Sequence, residues 1–265
     1  MSTLTYAVRD SRTMLRRNLR HMWRYPSLTL MVAGLPVIFL LLFVYVFGGT
    51  LGAGLNAASG GRADYLDYVI PGILLMTVAG VAQGTAISVA MDVTEGIVAR
   101  FRTMAIFRPS ILTGHVLDAM SQTACSLAVV IGVALLIGFR PTAGPVEWIA
   151  VVGVMAMISL AITWLSVVCG LVSKSVEAAS NLPMPLLLLP FLGSGFVPTD
   201  SMPTALRWFA DYQPFTPVIE TLRGLLLGTA IGNSAILAIA WCTAITLVSY
   251  LWARAAFNRD PAPAS

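Results

Sequence analysis

A lysine followed by a serine is how a phosphate-binding loop ends, and the single lysine of this chain, Lys174, is followed by Ser175. That loop needs G-x-x-x-x-G-K-[ST], because its glycines let backbone N–H groups close around the phosphates. Val168 and Ser173 stand where the glycines belong, so the chain has no ATP site of that kind. His21 and His115 have no cysteine or carboxylate at ligand spacing, which argues against a metal site. Cys125, Cys169 and Cys242 are odd in number and fall inside apolar runs, as small packing residues do; no disulfide framework is implied. Neither an enzyme nor a cofactor site is expected in this chain.

The elements that hold these residues are set by where charge is missing. Sixteen Lys and Arg and twelve Asp and Glu leave six uncharged stretches, 25–61, 68–91, 119–139, 148–173, 178–199 and 224–253. A hydrocarbon core about 30 Å thick needs roughly 20 helical residues, and a charge at mid-bilayer costs at least ~2.5 kcal/mol. Trimmed to their most apolar parts, the stretches predict spans at 28–47, 69–91, 119–139, 148–172, 181–197 and 233–253. With 57% hydrophobic and 11% charged residues, the expected fold is an all-α integral membrane protein of six transmembrane helices, one domain over 1–265. None of the six spans holds Asp, Glu, Lys, Arg or His. Intramembrane catalysis and proton relays usually need such groups, so energy for any transport must come from elsewhere.

Charge placement also predicts orientation. Arg9, Arg12, Arg16, Arg17, Arg20 and Arg24 precede the first span, while Arg100, Arg102, Arg108, Lys174, Arg254 and Arg259 fall on the same side. Only Arg62, Arg140, Arg207 and Arg223 fall opposite, which puts both termini in the cytoplasm. The net charge of +4 therefore encodes orientation, with no nucleic-acid partner expected. Residues 1–27 form a basic amphipathic segment suited to a helix lying on the inner leaflet, either as a lipid-headgroup anchor or as a docking surface. The first apolar run is too long for a signal-peptide core and five more spans follow, so it reads as a retained helix.

Two connecting segments carry the remaining information. The inner segment 92–118 begins with Asp92 and Glu95, mixes apolar residues with Arg100, Arg102 and Arg108, and meets Pro109. It is expected to hold a short helix facing a cytoplasmic protein. The outer segment 198–232 carries Pro198, Pro203, Pro214 and Pro217 among apolar residues such as Trp208 and Phe209. Too apolar to lie free in water, it reads as two short helices on or in the outer leaflet. Together with 16–26, 65–72, 95–108 and 191–223, these segments resemble the permeases of the type-2 ABC transporter family, in particular the daunorubicin/doxorubicin-resistance group. Ala105 and the Gln213-Pro214 pair depart from the proline and the Asn-Pro pair frequent there.

The resemblance implies that Glu95, Gly96, Arg100, Phe101 and Arg102 form a coupling helix seated on a separate ATPase subunit, which binds the ATP and Mg. It implies two copies of that ATPase, a second permease chain, identical or related, and a bacterial inner membrane. The cargo would be a hydrophobic or amphipathic compound, or alternatively a lipid-linked glycan or lipid; a non-transporting scaffold for the ATPase is the other alternative. Met76, Gln83 and Ile87, on one sector of the second span, are expected to line the path between two permease chains. Pro198, Pro214, Pro217, Glu220 and Arg223 would form an outer gate. Local readings stay open beside these. Glu220 and Arg223 fit a surface pair, Gln83 fits a hydrogen bond between helices, and Phe39, Phe43 and Phe47 fit packing or lipid contact. Gly80 and Gly84 permit close helix approach.

Overall fold

The computed structural model describes residues 26–54, 61–96 and 109–258. Most of the expected interfacial segment 1–27 lies outside the described residues, as do Arg100, Phe101 and Arg102. Helix α1 (Pro26–Leu42) runs through a π-helical turn (Phe43–Phe47) into α2 (Gly48–Ala53). There follow α3 (Arg62–Thr94), α4 (Pro109–Leu136), α5 (Pro145–Val172), α6 (Val176–Asn181) and α7 (Met184–Leu188). A 3-10 turn (Thr199–Ser201), α8 (Thr204–Tyr212), α9 (Phe215–Leu227) and α10 (Ser234–Asn258) complete the order. The first and second connections are shorter than expected: helix occupies Gly48–Ala53, resumes at Arg62, and restarts at Pro109.

Among the described residues, five helical runs are long and apolar enough to cross a membrane: Val32–Ala53, Arg62–Thr94, Leu112–Leu136, Pro145–Val172 and Ser234–Phe257. Helix α3 is the axis, since 72% of its most apolar stretch is buried inside the chain against 17% for α10. Its start is fixed by Asp64, whose carboxylate accepts the Gly61 N–H at 3.3 Å. Around it pack α1, α4, α5 and α9. One apolar core, including Tyr65, Ile70, Ile73, Ile158, Phe196, Phe215 and Leu222, lies toward the end where α3 begins. A second, with Val89, Leu112, Val116, Trp164, Val167, Val168 and Phe257, closes the opposite end. Several hydroxyls buried among these helices turn back on their own backbone. Thr77 donates to Ile73 O at 2.9 Å, Thr85 to Val81 O at 3.1 Å and Ser159 to Met155 O at 2.6 Å, so these three are paired, whereas Ser126 Oγ and Ser166 Oγ are buried without a protein hydrogen bond.

The expected continuous span at 181–197 is corrected. This segment is broken into α6, α7 and a run of turns over 189–196. Pro183, Pro185 and Pro190 each remove an N–H donor and crowd the preceding turn, which an uncharged stretch read only for hydropathy conceals. The segment nevertheless runs beside α3 from Gln83 to Tyr65. Its Ser180 carbonyl meets Gln83, Gly195 abuts Gly72, and Phe196 meets Tyr65. Along α3, Gln83 to Tyr65 is eighteen residues, about 27 Å at 1.5 Å per residue, close to a hydrocarbon thickness. A proline-broken segment, rather than a continuous helix, therefore lies against the axis helix over a distance comparable to a hydrocarbon thickness.

Candidate functional site

A helix interrupted at membrane depth leaves carbonyls without their own ladder, and these must be met by neighbouring protein. Here side chains from α3 and from the α8–α9 cap meet them. Gln83 donates Nε2 to Ser180 O at 2.9 Å, Gln213 donates Nε2 to Leu189 O at 3.0 Å, and Tyr65 donates its hydroxyl to Phe196 O at 3.2 Å. Arg223 donates Nη2 to Ser194 O at 2.7 Å and to Tyr68 O at 3.2 Å.

Arg223 carries the most at this junction. It is 8% exposed, its Nη1 donates to Glu220 Oε1 at 2.6 Å, and its guanidinium lies 3.9 Å from the centre of the Tyr68 ring. One cation thus holds α9, the broken crossing and the start of α3 together. Of the two readings, a surface pair or part of an outer gate, the surface pair does not hold for Arg223: the Glu220–Arg223 pair keeps its helical i, i+3 spacing, but only Glu220, with 38% of its side chain exposed, reaches outward. Arg223 Nε, Ser194 Oγ and Gln213 Oε1 are buried without a protein hydrogen bond, so the junction retains unused polar capacity.

Close backbone contact reinforces it. A Cβ on Gly72 would lie 2.6 Å from Gly195 O, so α3 and the broken crossing touch only because both positions are glycine. Beside them the rings of Phe191 and Phe196 stack at 4.2 Å, and Phe43 meets Phe196 at 4.7 Å. Phe39 and Phe43 therefore spend their faces on packing against the crossing, with Phe47 half-exposed at the edge. Pro198 opens the 3-10 turn, Pro214 precedes α9, and Pro217 is buried in its first turn. These prolines shape the cap, and Gln213 and Arg223 supply its hydrogen bonds to the carbonyls of the broken segment, with Thr216 and Ile219 packed against Gly193 and Gly195.

The expected pathway residues do not share one environment. Met76 is buried at 4% exposure, while Ile87 is half-buried and Gln83 spends its amide on the crossing. Gly80 and Gly84 were expected to admit a close helix, yet nothing within the described residues lies within 4 Å of a Cβ on either. At the far end of α3, Glu95 is exposed and Gly96 turns the chain away at φ +72°, a left-handed backbone that favours glycine. His115, which has no carboxylate at ligand spacing in the sequence, meets one in the fold: its Nε2 lies 2.9 Å from Asp92 Oδ2. Sequence spacing could not reveal that contact, since the partners stand 23 positions apart on two helices. Tyr65, Tyr68 and Ser194 were missed for a related reason, because much of what they contribute is backbone carbonyl or ring face.

Long apolar helices around a buried axis, one proline-broken crossing, and a helical cap tied to it by a buried arginine define a multi-pass helical membrane protein. Residues 9–227 match the ABC-2 type transporter family, and the chain belongs to that family. It is similar to the daunorubicin resistance ABC transporter permease protein DrrB1 of Streptomyces coeruleorubidus, 28% identical over 226 residues, which are 82% of this chain and 77% of that protein. It is also similar to the probable doxorubicin resistance ABC transporter permease protein DrrC of Mycobacterium tuberculosis, 23% identical over 214 residues, 81% of this chain and 75% of that one.

Proposed function

We infer that the chain is the permease subunit of an ATP-driven exporter that expels a hydrophobic or amphipathic compound, with ATP and Mg bound by a separate ATPase. The names of its relatives support the class of cargo. Among this chain's own features, the observation that carries the reading is the reach of α3. This one helix runs from the Arg223 junction at Tyr68 to the turn at Glu95 and Gly96. Twenty-seven residues separate Tyr68 from Glu95, about 40 Å of helix at 1.5 Å per residue. A displacement delivered at Glu95 therefore reaches the cap through one covalent rod.

In this reading Glu95, Gly96, Arg100, Phe101 and Arg102 dock on the ATPase from the cytoplasm. Closure of two ATPase copies moves α3 in each of two permease chains, and the contact between Arg223 and Ser194 yields. The broken crossing is the part suited to move. Side chains from other elements hold several of its carbonyls, so it can shift by exchanging partners where a continuous helix would have to unwind. The cargo, drawn from the inner leaflet of a bacterial cytoplasmic membrane, leaves past the α8–α9 cap. The apolar stretches 28–47, 69–91, 119–139, 148–172, 181–197 and 233–253 carry no charged side chain that would select a charged cargo. Co-reconstitution with the ATPase tests the reading: amphipathic compounds should stimulate ATP hydrolysis and be moved at its expense. Stimulation only by lipid-linked glycans would redirect the cargo class, and docking with no transport of either kind would make the chain a scaffold.

A further inference from the structure

The loop-side ends of α3 and α4 carry a polar contact that the proposed gate does not use. Asp92 lies two residues before the end of α3, and His115 is the seventh residue of α4. Their side chains meet at 2.9 Å, with 30% and 16% of their surfaces exposed. One turn before Asp92, Val89 is buried in the second apolar core, and Leu112 and Val116 flank His115 in that same core. The pair therefore extends the apolar seam between the two helices toward the loop. Past it α3 has only Val93, Thr94 and the turn at Glu95 and Gly96, where the chain bends away.

We propose that Asp92 and His115 clamp the ends of α3 and α4 into one lever, so that the 95–108 segment delivers displacement to both helices at once. The assignment rests on the coupling role proposed for that segment. A segment joined to two independent helix ends would lose motion to their separation, because each end could yield singly. With the ends tied, α3 and α4 move as a pair, and α3 carries the motion to the Arg223 junction. Asp92 and His115 are positioning residues here: they touch neither cargo nor ATPase in this account, and they fix the stem from which the docking segment hangs.

The test uses the full chain with its ATPase in proteoliposomes and reads compound moved per ATP hydrolysed, with ATPase co-purification and thermal stability measured beside it. Asp92→Ala and His115→Ala should keep docking and lower the ratio about fivefold, in line with 0.5–2 kcal/mol for residues along a coupling path. The exchange Asp92→His with His115→Asp should restore it, which a purely local packing role would not predict. Asp92→Cys with His115→Cys, in a background without Cys125, Cys169 and Cys242, should transport normally once joined by a short bismaleimide. A cross-link that abolishes transport while the ATPase stays bound would overturn the clamp, because the pair would then have to open. A normal ratio in both alanine variants would overturn it equally. A wild-type complex that hydrolyses ATP but moves no compound would instead sink the export reading and the clamp with it. If an alanine variant fails to fold, the cross-linked protein alone decides.

Discussion

Replacing Arg223 by methionine removes the cation at the cap junction while keeping an unbranched side chain of similar reach. Ser194 O then loses a charged donor at 2.7 Å in a buried setting, worth roughly 1–3 kcal/mol. Loss of the cation over the Tyr68 ring at 3.9 Å adds about 2 kcal/mol where water is excluded. Glu220 is left without its partner, but it is partly exposed and rehydrates, so its share is about 1 kcal/mol or less. These contributions share one side chain and are not additive; about 4 kcal/mol is the expected loss, within the range for removing one member of a buried pair. Arg223→Lys should fall between, since one ammonium cannot reach Glu220, Ser194 O and the Tyr68 ring together. Glu220→Gln should cost least. Thermal unfolding of the purified protein in detergent gives the order, and transport in proteoliposomes gives its consequence. Equal stability of Arg223→Met and wild type would refute the reasoning, as would a Glu220→Gln variant as damaged as Arg223→Met.

Four further outcomes follow from the geometry. Gly72→Ala should cost about 1–3 kcal/mol, because its Cβ would press on Gly195 O; Gly84→Ala, with open space around it, should leave the thermal midpoint unchanged or raised. Gln83→Leu should lose about 0.6 kcal/mol with the bond to Ser180 O, and an unchanged compound profile in ATPase assays would confine Gln83 to structure. Cysteines placed at Ser175 and Thr229 should label with impermeant maleimide from the inner and outer faces respectively; outside labelling of Ser175 in intact cells would reverse the topology. Glu95→Ala or Arg102→Glu should weaken ATPase docking or separate hydrolysis from transport, and normal behaviour of both would mean that the docking segment lies elsewhere.

Much of the fold was legible because bilayer thickness imposes a length on every uncharged stretch, and five of the six expected spans became long helices. The remaining one, 181–197, was apolar enough to cross but not regular enough to stay helical. Pro183, Pro185 and Pro190 announced the break in plain letters, yet hydropathy gives a proline little weight and the stretch was read whole. The site was less legible. Glu220 and Arg223 showed their helical spacing, but the larger partners of Arg223 are the Tyr68 ring and two main-chain carbonyls, which any sequence supplies equally. Gln213 counted as a departure from an expected Asn-Pro pair, while its amide in fact reaches Leu189 O across 24 positions. Asp92 and His115 are separated by the very segment they enclose, so only the packing of α3 on α4 brings them together. Contacts local in the chain could be read; those made by folding back could not.

If displacement of Glu95 by a separate ATPase is carried along α3 to the Arg223 junction and opens an exit for an amphipathic compound, the cap must move when ATP is trapped. That motion is read as the distance between spin labels at Thr229 of the two permease chains in the full complex, followed in proteoliposomes with compound present as the ATPase is cycled between nucleotide-free and ATP-trapped states. The cap-to-cap distance between two permease chains should lengthen on ATP trapping with Glu95 in place, and stay at its resting value in Glu95→Ala. An ATP-trapped complex with bound compound and an unmoved cap, or a cap that moves equally in Glu95→Ala, would contradict it.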